Sequence, residues 1–143
     1  MNNQPTYKTY FQYAIVASVV ATIGVGIVSL LASLISPDIH AEDMNGDMVK
    51  LTFLGSLAAT LMYCAVAIIA GLILFYFRRP ALWWYVLGAV ILILIGLNAF
   101  DKSDTNESAI WLNIMHIVAA AAMLPGIGKV LDLRAATTPK RTG

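Results

Sequence analysis

The chain has 143 residues, 59% hydrophobic and only 12% charged, with nearly balanced charge at a net +1. Soluble domains carry about 25% charged residues, and a chain this short makes one domain with one core. Its polar side chains are too few to cover such a core in water, so lipid is the expected solvent and no nucleic-acid partner is expected.

Four apolar runs, taken in chain order, have the length that a helix needs to cross a hydrocarbon layer, about 20 residues. The first is 13–35, entered through Tyr7, Tyr10 and Tyr13, with Ser18 and Thr22 in one half and Ser29 and Ser33 in the other. It far exceeds the 7–15 residues of a signal-peptide core, and Ile39 precedes the potential cleavage point at Ala41, so retention is expected. An acidic loop, 36–50, follows, with the turn-forming sequences Ser36-Pro37-Asp38 and Asn45-Gly46. Its acidic spacing does not match a calcium-binding EF-hand loop.

The second run is 51–77, where Ser56, Thr60 and Cys64 recur at four-residue spacing and Ala67 and Gly71 extend the row. Small residues so spaced let helices approach closely in lipid. Arg78-Arg79-Pro80 is a very short turn that forces an antiparallel hairpin with the third run, 82–100, which carries Gly88, Gly96 and Asn98. After the loop 101–109, the fourth run, 110–130, holds Trp111, Asn113, His116 and Pro125. Proline there removes an amide and bends the helix. The first three runs contain no Asp, Glu, Lys or Arg, and the fourth holds only Lys129, at its very end.

Charge assigns the sides. Lys8, Arg78, Arg79, Lys129, Arg134, Lys140 and Arg141 fall on one side; only Lys50 and Lys102 fall on the other. The second side carries seven of the eight acidic residues. Basic loops stay cytoplasmic, so both termini are expected inside and both acidic loops outside. The expected fold is all-α: residues 1–143 as a single domain, an antiparallel bundle of four transmembrane helices.

Chemistry is sparse. A lone cysteine, Cys64, excludes a Cys-x-x-Cys relay and any disulfide within the chain. His116 is the one imidazole inside a span, roughly 9 Å past the start of the fourth run at 1.5 Å per residue. Intramembrane ionisable groups are costly and point to function; the alternative is a helix-to-helix hydrogen bond. The second histidine, His40, lies in the external loop, so a haem-binding pair is not expected, and no metal or other cofactor is expected. Asn113 and His116, three residues apart, share a helix face. With Asn98, Ser29, Ser33 and Ser56 they place polar groups from all four helices in the outer leaflet, a candidate pocket open to the outside. Serine hydroxyls also bond their own helix backbone, which is the competing role.

The stretch Met115-His116-Ile117-Val118-Ala119-Ala120, running on to Pro125 and preceded by Trp111-Leu112-Asn113, resembles the last span of small four-helix bacterial membrane proteins of uncharacterised function. The resemblance implies the bacterial inner membrane and supplies no mechanism. With no catalytic carboxylates and no cofactor motif, a non-enzymatic protein is expected. It would pack in the lipid bilayer with itself, as a homo-oligomer, or with a membrane partner. The alternative is a small-molecule binding or transport protein using the pocket around His116.

Overall fold

Three threonines decide where helices begin. Thr6, Thr52 and Thr105 have extended backbones, and each hydroxyl accepts the amide three residues on, from Thr9, Gly55 and Ser108. Such caps satisfy amides that a helix start otherwise leaves bare. In the computed structural model, which describes residues 5–42 and 46–137, they open α1 (Tyr7–Ile35), α2 (Phe53–Tyr76) and α4 (Asn106–Ala136). The remaining helix, α3 (Ala81–Asp101), follows Pro80, which offers no side-chain cap. Asp132 of α4 supplies one instead, its carboxylate accepting the Ala81 amide at 3.1 Å.

All four helices are long and apolar enough to cross a membrane. α1 starts at Tyr7 and α4 spans Asn106–Ala136, both longer than the apolar runs 13–35 and 110–130. Helix ends follow their caps, whereas the apolar run marks only the part that lipid demands.

The acidic loop is not wholly irregular. β1 (His40–Glu42) and β2 (Met48–Lys50) pair antiparallel, with His40 opposite Lys50. Gly46 takes the left-handed φ of +89° in the connection; Asn45, expected in that turn, and the acidic Asp43 lie outside the described residues. Glu42 ties the hairpin to the α3–α4 loop through Lys102, with a 2.6 Å side-chain pair and a 2.9 Å backbone bond to the Lys102 carbonyl. The carboxylate of Asp104 sits 3.1 Å from the His40 ring. Below them the Ser36 hydroxyl donates to Glu107 and accepts the Trp111 indole N–H at 3.1 Å.

The turn between α2 and α3 is as short as its sequence implies. Arg79 N–H reaches back to the Leu74 carbonyl at 2.9 Å, and Arg78 adopts a left-handed φ of 53°. This is a Schellman stop with arginine where glycine is usual. The two helices nevertheless splay and hardly touch. Each is claimed by another neighbour. α2 is held to α1 by the Tyr10 hydroxyl on the Ile68 carbonyl (2.6 Å) and by the Ser29–Ser56 hydroxyl pair (3.0 Å). α3 is held to α4 by the Trp84 indole on the Leu124 carbonyl (3.0 Å), by Asp132, and by Gly88 against Leu124. α4 meets all three other helices, and its longest contact is with α1.

Around Tyr10, Phe75, Ile127 and Leu131 the core is large and apolar, but much of the rest of the buried surface is small. Ala14, Ala17, Ala21, Ala32, Ser29, Ser56 and Thr60 are buried, while Leu34, Leu54 and Leu82 are 82%, 74% and 67% exposed. In lipid, large apolar groups gain nothing by hiding, and small residues let backbones close together.

Candidate functional site

Because α2 and α3 part, a cavity of about 240 Å³ opens between them, floored by α4. It runs along the helix axes. α2 contributes Ser56 through Ala70, α3 contributes Trp84 through Ile95, and α4 contributes Leu112 through Leu124. Leu51, next to the hairpin, lies at one end. The flanking residues Val66 on α2 and Ile91 on α3 are 60% and 44% exposed, so the cavity opens sideways between these two helices.

The wall is almost entirely apolar. Its hydroxyls are already engaged: Ser56 donates to Thr52 O at 3.0 Å and Thr60 to Ser56 O at 2.7 Å, each one turn back. The exception is on α4. His116 lines the cavity, and its Nδ1 is buried with no hydrogen-bond partner. Tyr63 of α2 meets the imidazole edge-to-face, with ring centres 6.1 Å apart. Among the described residues no Asp, Glu, Lys or Arg lines the cavity.

The polar residues singled out from sequence do not share one pocket. Ser56 and His116 both line the cavity, and Ser29 reaches it only by its bond to Ser56. Asn113 turns the other way. Its amide donates to Gly96 O at 3.3 Å and Ala109 O at 3.0 Å, beside a shallow groove between α3 and α4. Ser33 donates to Leu30 O at 2.7 Å on an exposed face, and Asn98 is exposed on α3. Three residues along a helix leave two side chains roughly 60° apart, and because α4 is wedged between α2 and α3 that offset is enough to put Asn113 toward α3 and His116 toward α2. Sequence reading missed Tyr63 and Trp84 as wall residues. The four-residue spacing of Ser56, Thr60 and Tyr63–Cys64 was the available signal.

Among the described residues no group of three or more His, Cys, Asp or Glu side chains stands ready for a metal ion. At the hairpin, Lys50 lies 3.0 Å from Asp38 and holds its carboxyl below the usual value, first by the hydrogen bond and then by charge.

The sequence matches a family of unknown function over residues 5–132. The chain belongs to that family, DUF6069. No curated protein and no solved structure matches it. Membership in the family carries no activity, so function rests on the geometry of the cavity.

Proposed function

We propose that this chain is a non-enzymatic, multi-pass protein of the bacterial inner membrane that binds a small apolar molecule drawn from the bilayer. In this reading residues 1–143 form one domain. Four antiparallel spans place both termini in the cytoplasm and the hairpin outside. The charge distribution supports that orientation. So do two contacts at the end opposite the hairpin, Arg134 donating to Pro5 O at 3.0 Å and Asp132 capping α3 beside the Arg78-Arg79 turn.

The sideways opening of the cavity carries the binding reading. A gap between two helices within lipid must be filled by something apolar, since an apolar cavity does not hold water. His116 gives that gap one polar point. Extraction in mild detergent followed by mass spectrometry of solvent-soluble material tests this. A compound present at one per chain, and lost when Ala67→Phe fills the wall, is the expected result. Preparations with no enriched compound would count against it.

Association with itself or with a membrane partner is the second reading, favoured by the apolar groove beside Asn113. It is the weaker of the two because the small-residue rows are used inside the chain. Gly71 packs on Tyr10 and Ile127, Gly88 on Leu124, and Gly126 on Ala17. A stoichiometric protein that copurifies would favour this reading.

A further inference from the structure

Resting on the binding reading above, we infer that the cavity takes an uncharged single-chain lipid, its hydroxyl or carbonyl oxygen hydrogen-bonded to His116 and its tail running toward Trp84. Three observations narrow the occupant to this class.

Size is the first. The wall extends from Trp84 to Ile95 along α3, roughly 16 Å at 1.5 Å per residue. The cavity, about 240 Å³, is a gap that runs lengthwise between α2 and α3. It exceeds the roughly 150 Å³ of an apolar cavity that admits one benzene ring. A long, thin hydrocarbon fits that length and volume.

Charge is the second. With no Lys or Arg in the wall, a phosphate or carboxylate drawn in to the depth of His116 would lose its water without gaining a counter-ion. The head is therefore neutral. Ordinary phospholipids keep their charged heads at the surface and could insert only a chain end.

His116 is the third. Its Nδ1 is enclosed by protein, so Nε2 is the ring nitrogen open to an occupant of the cavity, while the neighbouring serine and threonine hydroxyls are all engaged. A neutral imidazole offers one donor and one acceptor, which suits an alcohol or a carbonyl equally. Between His116 and Leu124 lie roughly 12 Å of apolar wall for the tail. Trp84, which bonds the Leu124 carbonyl, closes the far end.

Trp84 also provides the readout. With Trp83 and Trp111 replaced by Phe and helix content checked by circular dichroism, Trp84 becomes the single indole. The probes are octadecanol, an octadecyl ketone, octadecane and stearate at neutral pH, all brominated at mid-chain, and a phosphatidylcholine carrying the same brominated chain. The alcohol, the ketone or both should quench Trp84 at lower concentration than the alkane, and which one does identifies the head. His116→Leu should weaken the preferred probe roughly threefold to twentyfold, the range of one intramembrane hydrogen bond, and leave the alkane unchanged. Ala67→Phe, or Ala120→Leu should the first fail to fold, should weaken all of them.

Equal quenching by alcohol, ketone and alkane would overturn the polar contact while sparing the binding reading. Stearate as effective as the alcohol would overturn the neutral head. Phosphatidylcholine as effective would show that ordinary bilayer chains fill the gap, and would sink the proposal. If no probe quenches and native mass spectrometry finds no bound mass, the binding reading itself fails.

Discussion

Asp132 is the one acidic residue that the charge pattern of the loops leaves over. Its carboxylate caps α3 from another helix, at the Ala81 amide, because Pro80 cannot. Asp132→Ala should cost about 1 kcal/mol, the usual worth of a lost cap, while Asp132→Asn, which still accepts, should cost less than half of that. Equal losses in thermal unfolding would show that charge, not capping, is at stake. Arg134 plays a related part on the same turn of α4. Its guanidinium stacks 4.0 Å over the Phe75 ring and 5.6 Å from that of Tyr7, and it donates to Pro5 O. Lysine keeps the charge but loses the flat face and the fork. His116 differs from both, since its Nδ1 has no hydrogen-bond partner among the described residues. His116→Leu fills the same space, whereas His116→Ala leaves a cavity costing up to a few kcal/mol. The alanine variant should therefore unfold at lower temperature and the leucine variant near the native one. A leucine variant as unstable as the alanine one would give His116 a structural hydrogen bond instead.

At the scale of elements, the turn between α2 and α3 stores strain that can be relieved. Arg78 holds a left-handed backbone at φ 53°, which costs an L residue about 1–2 kcal/mol. Glycine avoids that but loses about 0.5–1 kcal/mol in chain entropy. Arg78→Gly should thus stabilise the protein by a few tenths to about 1 kcal/mol, against the usual destabilising trend. A lower unfolding midpoint would show that the arginine side chain contributes more than its backbone costs. The opposite sign is expected where α1 meets α4. A Cβ on Gly126 would stand 2.6 Å from that of Ala17, so Gly126→Ala should cost about 1–3 kcal/mol by overpacking. In the hairpin, the lowered pKa of Asp38 means that its pairing with Lys50 favours the fold above the ordinary carboxyl pKa and is lost as pH falls through the folded value. Both side chains are exposed, so salt screens the pair and Asp38→Asn should leave the unfolding midpoint unchanged.

At the scale of the whole molecule, many large apolar side chains face outward while alanines and serines line much of the α1 interface, an arrangement suited to lipid. In the proposed orientation, a single cysteine at Asn106, in a Cys64→Ser background, should react with an impermeant thiol reagent on intact cells. One at Thr137 should not. Labelling at Thr137 would invert or dissolve the four-span arrangement. The purified protein is expected to be colourless and free of stoichiometric transition metal, and an absorption band in the visible would refute that.

The four membrane-length helices were legible in the sequence, because about 20 apolar residues with little or no charge have one stable form in a medium that cannot bond the backbone. The short turn at Arg78-Arg79-Pro80 and the bend of the chain at Gly46 were legible for the same local reason: each is decided by residues a few positions apart. Cap positions were written in Thr6, Thr52 and Thr105 but are easily passed over, since threonine also occurs within spans. What composition could not decide was which face of each helix meets which neighbour. Tertiary packing set Ser29 against Ser56, turned Asn113 to Gly96, and left Asn98 and Ser33 outside. It also drew α2 to α1 and α3 to α4, opening the cavity at His116. In lipid there is no hydrophobic gain to drive apolar faces together, so the choice of neighbour falls to close approach of small residues and a few hydrogen bonds. Those are properties of pairs of helices, and no single segment carries them.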